Sequence, residues 1–344
     1  MQHFEISEVR ENEADKWNAF VLNNPHETVF QTYEMLRVYE ESKTAEVLLL
    51  GARNRDNEFT SGMLACIRKE RGGILEPLST RSTIWGSPLY SSNMDFGGLP
   101  QLLEEYKERV AKKVIFTEIR SLSFDLSPIR SVMTSSGFKC YEHLNFLVDL
   151  TQPREQLWSR LEKSRRWGVR RGRERGVRVQ EVTEEEDVLE CCRLLNETYA
   201  RVALPLAHRL GQSFLAKAFV ILCQKNLAHF LVAKLKDRIV AVVFNLLYRD
   251  RIYCWQHGSD LAYNQYHPNE VLLWESIMWG KDHGYRIFDF GGAGTPDEAW
   301  GVRDFKSKYG GELVKFETFR LIHSPIRYAV AKRGFALYRR SFLG

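Results

Sequence analysis

The chain has 344 residues, of which 44% are hydrophobic, and its formal net charge at pH 7 is +5. The length predicts two domains, and the absence of any apolar run near about 20 residues argues against a membrane-spanning protein. The six cysteines form no Cys-x-x-Cys pair, which argues against zinc and redox motifs. The N-terminal stretch is polar and acidic, unlike a signal peptide, so a cytoplasmic protein with reduced thiols is expected.

Residues 1–150 have the pattern of an α/β domain. Short apolar runs between polar turns predict strands, and apolar residues at helical spacing predict helices. In chain order we predict a strand at 4–6, a helix at 13–22, a second helix that follows residues 29–32 and ends at residue 39, and a hairpin of strands at 47–52 and 60–67. These are followed by a strand with loops in 72–98, a helix at 99–113, a strand at 114–119, a short helix at 129–136 and a strand at 141–150.

Residues 151–322 are predicted to form a second α/β domain, beginning where Thr151 can cap a helix that has Pro153 in its first turn. Polar turns at 236–238 and 249–251 predict an antiparallel meander, and the helix and strand that follow predict a crossover unit. In chain order we predict a helix ending at Gly176, a strand at 177–182, helices at 187–201 and 213–224, strands at 228–235, 239–248 and 252–258, a helix at 269–283 and a strand at 287–290.

Two segments of the chain are strongly basic. Residues 160–178 hold nine Lys/Arg and two acids, Glu162 and Glu174, a local charge of +7, so the rest of the chain sums to −2. Such a segment indicates an anionic partner, or else a solvated helix face. Residues 323–344 hold five Lys/Arg and no acids. They predict a basic amphipathic helix that contacts an anionic membrane surface or packs on its own domain.

The stretch 284–311 has the densest concentration of motif residues. The run Ile-Phe-Asp-Phe at 287–290 is typical of a buried strand, and Gly291 and Gly292 then predict a sharp turn. Asp289 is the acid of this strand, and two roles are open for it. It is either a base with a raised pKa or a structural acid that accepts hydrogen bonds from the amides of the glycine turn.

The order helix pair, antiparallel meander, helix and strand is also the order of the Gcn5-related N-acetyltransferase (GNAT) fold. The second half resembles the FemABX family of aminoacyl-tRNA-dependent peptidyltransferases. The resemblance is carried by Arg-Arg-Trp-Gly-Val-Arg-Arg-Gly at 165–172, Glu-Thr-Tyr-Ala-Arg at 197–201, Phe-Asp-Phe-Gly-Gly at 288–292, Phe-Lys at 305–306 and Tyr-Gly-Gly at 309–311. In the first half Trp17, Pro25 and Val-Phe-Gln-Thr at 29–32 resemble the start of that family.

The resemblance implies two tandem GNAT-like domains and a transferase that forms an amide. The donor would be aminoacyl-tRNA, and the acceptor an anionic, amine-bearing molecule such as a peptidoglycan precursor in cell wall biogenesis. Such a site aligns a reactive ester with an amine and stabilises the developing oxyanion without a covalent nucleophile. The long coiled-coil arm of well-known members is missing from this sequence, and Tyr33 replaces the tryptophan that often follows the N-terminal glutamine.

The resemblance also implies which residues contact the substrates. Lys306 is the first candidate, as a catalytic residue and as a contact for a substrate anion, with Phe305, Gly291 and Gly292 beside it. Arg201 is the second candidate for an anion, or else a solvated residue at a helix end. Trp255 is a candidate from its position on the third strand of the meander, where it would be a wall of the acceptor cleft or else a core residue.

The basic run has a role in the same interpretation. Arg165, Arg166, Arg170 and Arg171 would contact the phosphates of charged tRNA, each adding salt-dependent affinity. No metal is expected, and no cofactor besides the tRNA-borne donor.

Two alternatives stay open. A CoA-dependent N-acyltransferase of the same fold would use acetyl-CoA or acyl-CoA, although residues 263–269 lack the glycines that let backbone amides bind a pyrophosphate. A non-catalytic protein would use the basic run to bind tRNA or an anionic glycan.

Overall fold

The computed structural model describes residues 4–91, 96–122, 125–202, 211–298 and 300–342, with the side chains of the last helix described through residue 334. The chain forms two compact units, residues 1–142 with 316–344 and residues 143–315. The predicted boundaries were 150 and 322. The difference at the C-terminal end arises from a strand at 312–322 that the sequence pattern did not reveal.

Helices and strands are interspersed along the whole described chain. The first part contains β1 (Glu5–Glu8), α1 (Ala14–Leu22), α2 (Tyr33–Ser42), β2 (Glu46–Arg53), β3 (Phe59–Lys69), β4 (Thr80–Trp85), β5 (Leu89–Tyr90), α3 (Leu99–Val110), β6 (Phe116–Arg120), α4 (Arg130–Ser135) and β7 (Lys139–Asp149). The second part contains α5 (Arg154–Arg160), α6 (Lys163–Glu174), β8 (Val177–Glu181), α7 (Glu185–Arg201), α8 (Gln212–Gln224), β9 (Ala228–Leu235), β10 (Arg238–Tyr248), β11 (Arg251–Ser259), α9 (Pro268–Asp282), β12 (Ile287–Gly292), α10 (Gly301–Ser307), β13 (Glu312–Ile322) and α11 (Pro325–Phe342).

The strands of the first unit follow the order β1-β2-β3-β4-β6-β13, and β5 pairs with β3. The β4–β6 pair is parallel and the β2–β3 and β6–β13 pairs are antiparallel, so the sheet is mixed. Its core includes Leu50, Met63, Tyr106 and Phe319, which are inaccessible to solvent.

Gln31 connects the N-terminal motif to this sheet. Its backbone oxygen accepts a hydrogen bond from Trp17 Nε1 at 2.7 Å. Its side chain donates to Trp85 O at 2.7 Å and accepts from Leu64 N at 2.7 Å. Because a buried amide must be fully paired, this part of the motif has a structural explanation within the first unit.

The strands of the second unit follow the order β7-β12-β11-β10-β9-β8. The meander β9-β10-β11 is antiparallel, as predicted, whereas β11 and β12 are parallel. The paired residues of β11 and β12 are 251–253 and 287–289 only, although β11 continues to Ser259. The two strands therefore diverge after Asp289. The candidate site lies at the gap that opens between them.

Helix α6 packs very closely on α9. A Cβ atom at Gly172 would lie 2.5 Å from a Val271 methyl and 2.9 Å from Tyr266 O, and one at Gly168 would lie 2.8 Å from the Glu270 side chain. Only glycine fits this contact, because real Cβ atoms do not approach heavy atoms so closely. The glycines of the basic run thus bring its arginines to the start of α9.

The basic run is one predicted helix but two observed helices. α5 ends before Leu161, whose backbone is extended (ψ 140°) and whose side chain is buried. Glu162 N then donates to Lys308 O at 3.0 Å, which fixes the start of α6.

The predicted C-terminal helix exists as α11, and its first turns contact the first unit. Tyr328 packs against Phe116 with ring centroids 5.7 Å apart, and Arg327 donates to Lys112 O and Ala111 O at 3.4 Å each. Within the described residues, no helix has both the length and the apolar character needed to cross a bilayer.

Candidate active site

Lys306 clamps the glycine turn at the end of β12. The lysine lies on α10, and its Nζ donates to Phe290 O at 2.6 Å, Gly292 O at 2.8 Å and Gly291 O at 3.2 Å. Gly291 has φ +72°, and the β12–β7 register shifts between Asp289 and Gly292, which turns these carbonyls toward the ammonium. All three ammonium hydrogens thus serve the turn, and the substrate contact predicted for Lys306 stays a prediction.

Asp289 supports the same turn from inside the strand. It is 1% exposed, and its Oδ1 accepts from Gly291 N and from Asn145 Nδ2 at 2.7 Å each. Its Oδ2 accepts from Arg251 Nη1 at 3.2 Å. The bond to the glycine amide is the one expected of a structural acid. Asn145 and Arg251 were not identified in the sequence, because both are distant from Asp289 along the chain.

Burial changes the acid–base properties of this cluster. It raises the pKa of Asp289, although Arg251 and the hydrogen bonds oppose the shift. It also lowers the pKa of Lys306 to about 8, against the attraction of Asp289. Burial and the Lys306 charge lower the pKa of His257 to about 4, so this imidazole is neutral at pH 7. Perturbed groups that converge in one place are typical of functional sites.

Phe305 forms an aromatic wall beside the lysine. Its ring stacks on His257 with centroids 5.5 Å apart and planes 11° apart, and it contacts Tyr309 at 5.3 Å. The guanidinium of Arg165 lies 5.0 Å from the Phe305 ring centre and 5.4 Å from that of Tyr309. The predicted pair Phe305 and Lys306 therefore lies together with His257, which no residue spacing in the sequence had indicated.

The start of α9 carries a buried acid. Glu270, in the first turn, is 9% exposed and pairs with Arg165. Pro268 at the first position lacks an N–H, and α6 covers the preceding carbonyls. An anion bound there would meet a carboxylate and a helix end that lacks one of its usual donors.

The four arginines predicted to bind nucleic acid form two groups. Arg165 and Arg166 are half-buried. Arg165 pairs with Glu270, and Arg166 donates to Ser159 O at 2.7 Å and to Leu161 O. Arg170 and Arg171 are exposed. The surface available for phosphates therefore includes Arg170 and Arg171, whereas the first pair fixes α6 in place.

Arg201 and Trp255 lie on other elements of the second unit. Arg201 is exposed at the end of α7, and Thr198, three residues earlier, binds the end of β11 by accepting from Ser259 N at 3.0 Å. Trp255 is half-buried on β11 and contacts Phe214 with centroids 5.6 Å apart. Their predicted substrate contacts stay predictions.

The site has no activated thiol. Cys254, on β11, is buried, and burial raises its pKa to about 12. It is therefore a protonated thiol at neutral pH and a poor nucleophile. Across the described residues, no group of three or more His, Cys, Asp or Glu side chains is arranged to hold a metal ion.

Comparisons with known proteins agree with this architecture. Residues 159–307 match the acetyltransferase (GNAT) domain family, a range that contains the glycine turn, α6 and Lys306. No curated protein matches the chain at a significant level.

Three solved structures with the same fold span nearly the whole chain. FemX has a TM-score of 0.70 at 15% identity, and the alignment covers 95% of this chain and 100% of FemX. The C-terminal domain of a putative lysylphosphatidylglycerol synthetase from Agrobacterium fabrum has a TM-score of 0.55 at 14% identity, and the alignment covers 95% of this chain and 96% of that domain. A tandem GNAT protein from the clavulanic acid biosynthesis pathway has a TM-score of 0.56 at 9% identity, and the alignment covers 94% of this chain and 99% of that protein.

These matches confirm the mixed α/β fold with tandem GNAT-like units and the resemblance to the FemABX group. The chain therefore has the fold of FemX, and its residues 159–307 match the acetyltransferase (GNAT) domain family, which supports an acyltransferase.

Proposed function

We propose that the protein transfers an aminoacyl group from aminoacyl-tRNA to an amine on an anionic acceptor, such as a cell-wall precursor. The acceptor nitrogen attacks the ester carbonyl carbon, and the new C–N bond gives an amide. The C–O bond to the ribose breaks, and the ribose hydroxyl leaves with the proton that the amine loses. The reaction needs no oxidant, and its driving force is the ester already present in the donor.

The observation that carries the donor assignment is the start of α9. Enzymes of this fold that use CoA bind its pyrophosphate with backbone amides at the corresponding helix start. Here Glu270 is buried at that place, paired with Arg165, and Gly168 and Gly172 bring α6 against the same turn. A pyrophosphate would have to displace a buried ion pair, which costs several kcal/mol. This supports a donor whose phosphates lie outside, along the exposed arginines of α6.

The gap between β11 and β12 supports the chemistry. Lys306 places a positive charge beside the carbonyls of the glycine turn. The stacked rings of Phe305 and His257 lie next to this lysine. A fixed cation in a buried site stabilises developing negative charge more strongly than it would in water. Cys254 is unsuited to covalent catalysis because its thiol stays protonated, so direct attack by the amine is the simplest pathway.

The acceptor assignment comes from the resemblance to the FemABX family and from the similarity to FemX. One of the structural neighbours is named for synthesis of a lysyl phospholipid, which makes a lipid acceptor the first competitor. The two acceptor classes have different chemistry, since an amine gives an amide and a lipid hydroxyl gives an ester.

A CoA-dependent N-acyltransferase is the second candidate, and the match of residues 159–307 to the acetyltransferase domain family favours it. It would require that the pyrophosphate bind without the usual glycine-rich turn at 263–269. A non-catalytic binder of tRNA or an anionic glycan differs from both enzymes in lacking turnover.

A transfer assay tests the proposal. The protein is incubated with tRNA charged with a labelled amino acid and with either an amine-bearing peptidoglycan precursor or phosphatidylglycerol vesicles. The expected product is a labelled precursor that survives mild alkali, because amides resist it and esters do not. Label transferred to the lipid in an alkali-labile form would contradict the acceptor assignment, and transfer from acetyl-CoA alone would contradict the donor assignment.

A further inference from the structure

Trp167 is unusual among the tryptophans of this protein. The chain has eight tryptophans, all of them within the described residues, and Trp167 is the most exposed of them, with 56% of its surface accessible. Exposing a large aromatic ring to water is unfavourable. A lone exposed apolar residue needs no explanation, but the surroundings of this one are specific.

The neighbours of Trp167 on α6 are cations. Residues three and four positions apart share a helix face, which places Lys163, Arg170 and Arg171 on the face of Trp167. All three are exposed. The Arg171–Glu174 pair is separated by 3.1 Å and is itself exposed, so it holds the charge only weakly. The face therefore combines a π surface with positive charge inside a segment of charge +7.

A series of contacts connects this face to the candidate active site. Trp167 packs edge-on against His267 with ring centroids 4.8 Å apart, and His267 Nδ1 lies 4.0 Å from Glu270 Oε2. Glu270 pairs with Arg165, whose guanidinium covers Phe305, the neighbour of Lys306. Trp167 is thus on the outer side of the helix whose inner side borders the site.

We infer that Trp167 is a stacking platform for an unpaired base at the 3′ end of the RNA that carries the donor ester. The inference rests on the proposed aminoacyl-tRNA donor and adds a specific contact to it. An ester that reacts near Lys306 is attached to the last nucleotide, and the preceding unpaired nucleotides must cross the rim of the site. Proteins that bind single strands combine a basic surface with aromatic rings on which bases stack.

Charge and shape favour an unpaired RNA strand over other partners for this face. Large exposed apolar patches are typical of sites for protein partners, whereas this face of α6 has one exposed ring at helical spacing from Lys163, Arg170 and Arg171. Within a duplex each base face is covered by the neighbouring base pair, so the stem would use the arginines and leave the ring unused. The predicted signature is therefore a contribution of Trp167 that depends on unpaired nucleotides.

Binding of two hairpin RNAs to the full-length protein tests this inference. One hairpin carries an unpaired 3′ end like that of tRNA, and the other has the same stem and a blunt end. We expect Trp167→Ala to weaken binding of the first hairpin about 5- to 150-fold, the range for loss of one stacked base, and to leave the blunt hairpin unaffected. Trp167→Phe should retain most of the affinity, and Trp167→Leu should lose it, since leucine is apolar but has no π face.

The outcomes separate the inference from the proposed donor. If the wild-type protein binds the hairpin with the unpaired end and Trp167→Ala binds it equally well, the stacking role is wrong and the donor assignment stands. An equal loss on both hairpins would also overturn stacking, because the ring would then act on duplex or on the helix itself. If the wild-type protein binds neither hairpin, the tRNA donor is wrong, and the inference with it.

Discussion

Each of the two units buries a carboxylate against arginine, but in different electrostatic surroundings. In the first unit Glu118 pairs with Arg120 and Arg320 at 2.6 Å each, and its pKa falls to about 2; burial opposes this shift, and the two arginines overcome it. In the second unit Asp289 has one arginine at 3.2 Å, and burial raises its pKa. Glu118 therefore has the charge partners of a structural ion pair. Asp289 lies beside a lysine and a histidine whose charged forms are also disfavoured, which is the pattern expected of a functional site.

The largest expected effect concerns stability in the first unit. Glu118→Gln leaves two partly buried arginines without their counter-charge and should lower the free energy of unfolding by about 3–5 kcal/mol. Asp289→Asn should cost less, because burial already disfavours its charge and an amide oxygen still accepts from Gly291 N. Urea unfolding of both variants checks the order, and a larger loss for Asp289→Asn would reverse the comparison.

The loss of stability at acidic pH also distinguishes Glu118 from Asp289. The folded-state pKa of Glu118 is depressed from 4.5, so its contribution is complete above pH 4.5 and disappears as the pH falls toward 2. The folded-state pKa of Asp289 is raised above 3.8, so its contribution changes in the opposite direction as the pH falls. Unfolding measured between pH 5 and 2.5 should therefore show a flatter acid limb for Glu118→Gln than for the wild type.

The second prediction concerns turnover. Lys306→Met keeps the length of the side chain and removes its charge, and it should lower aminoacyl transfer about 10²- to 10³-fold, the usual effect of losing one group that stabilises an oxyanion. It should also destabilise the protein by about 1–3 kcal/mol, because buried carbonyls of the glycine turn lose their donor. Single-turnover transfer, measured at a temperature where a melting curve shows the variant folded, separates the two effects.

Lys308→Met is the matched control for this variant. Lys308 is partly exposed near the same helix end and lies 3.9 Å from Glu162, so transfer should stay near the wild-type rate. Equal losses in the two variants would mean that charge in this region, rather than the clamped ammonium, supports turnover.

The third prediction is a pH profile. Because the pKa of Lys306 is lowered to about 8, transfer that needs its charge should fall about tenfold per pH unit above 8. Stability should change in the opposite direction. The folded state holds this proton less tightly than the unfolded chain, so raising the pH from 8 toward 10.5 stabilises the protein through this group. In Lys306→Arg, any remaining transfer should show no fall at pH 8, and a persistent fall would assign it to another group.

The smallest expected effect is in salt dependence. Arg170→Ala and Arg171→Ala should each reduce the slope of log K against log salt for tRNA binding by about 0.7 to 0.9, the value for one lost phosphate contact. Arg166→Ala should change it less, since Arg166 binds carbonyls of α5 and its junction with α6. Arg55→Ala, an exposed arginine in the first unit, is the control and should leave the slope unchanged.

The local patterns of the sequence were sufficient for much of the fold. The meander was predicted at 228–235, 239–248 and 252–258 and is observed at 228–235, 238–248 and 251–259. The helix predicted at 269–283 is observed at 268–282. These elements follow from apolar periodicity and turn residues, which are local properties. The strand β13 was not predicted, because its second half pairs with β6, almost two hundred residues earlier in the chain.

The site was predictable as a set of motifs but not as a set of contacts. Asp289, Gly291 and Lys306 were identified from a strand, a turn and a resemblance, and the structure brings them together. The partners Asn145 and Arg251 depend on strand pairing and have no signal near Asp289. The pairing of Arg165 with Glu270 depends on two glycines that permit α6 and α9 to touch, a relation that charge counting along one helix cannot reveal.

The most direct test of the central claim is equilibrium binding of the purified protein to charged tRNA and to acetyl-CoA, measured side by side at two salt concentrations. If the start of α9 excludes a pyrophosphate and α6 binds phosphates on its outer face, tRNA binds and weakens as salt rises, while acetyl-CoA does not bind at either concentration. Binding of acetyl-CoA without binding of tRNA would contradict the account and would make the protein a CoA-dependent acyltransferase.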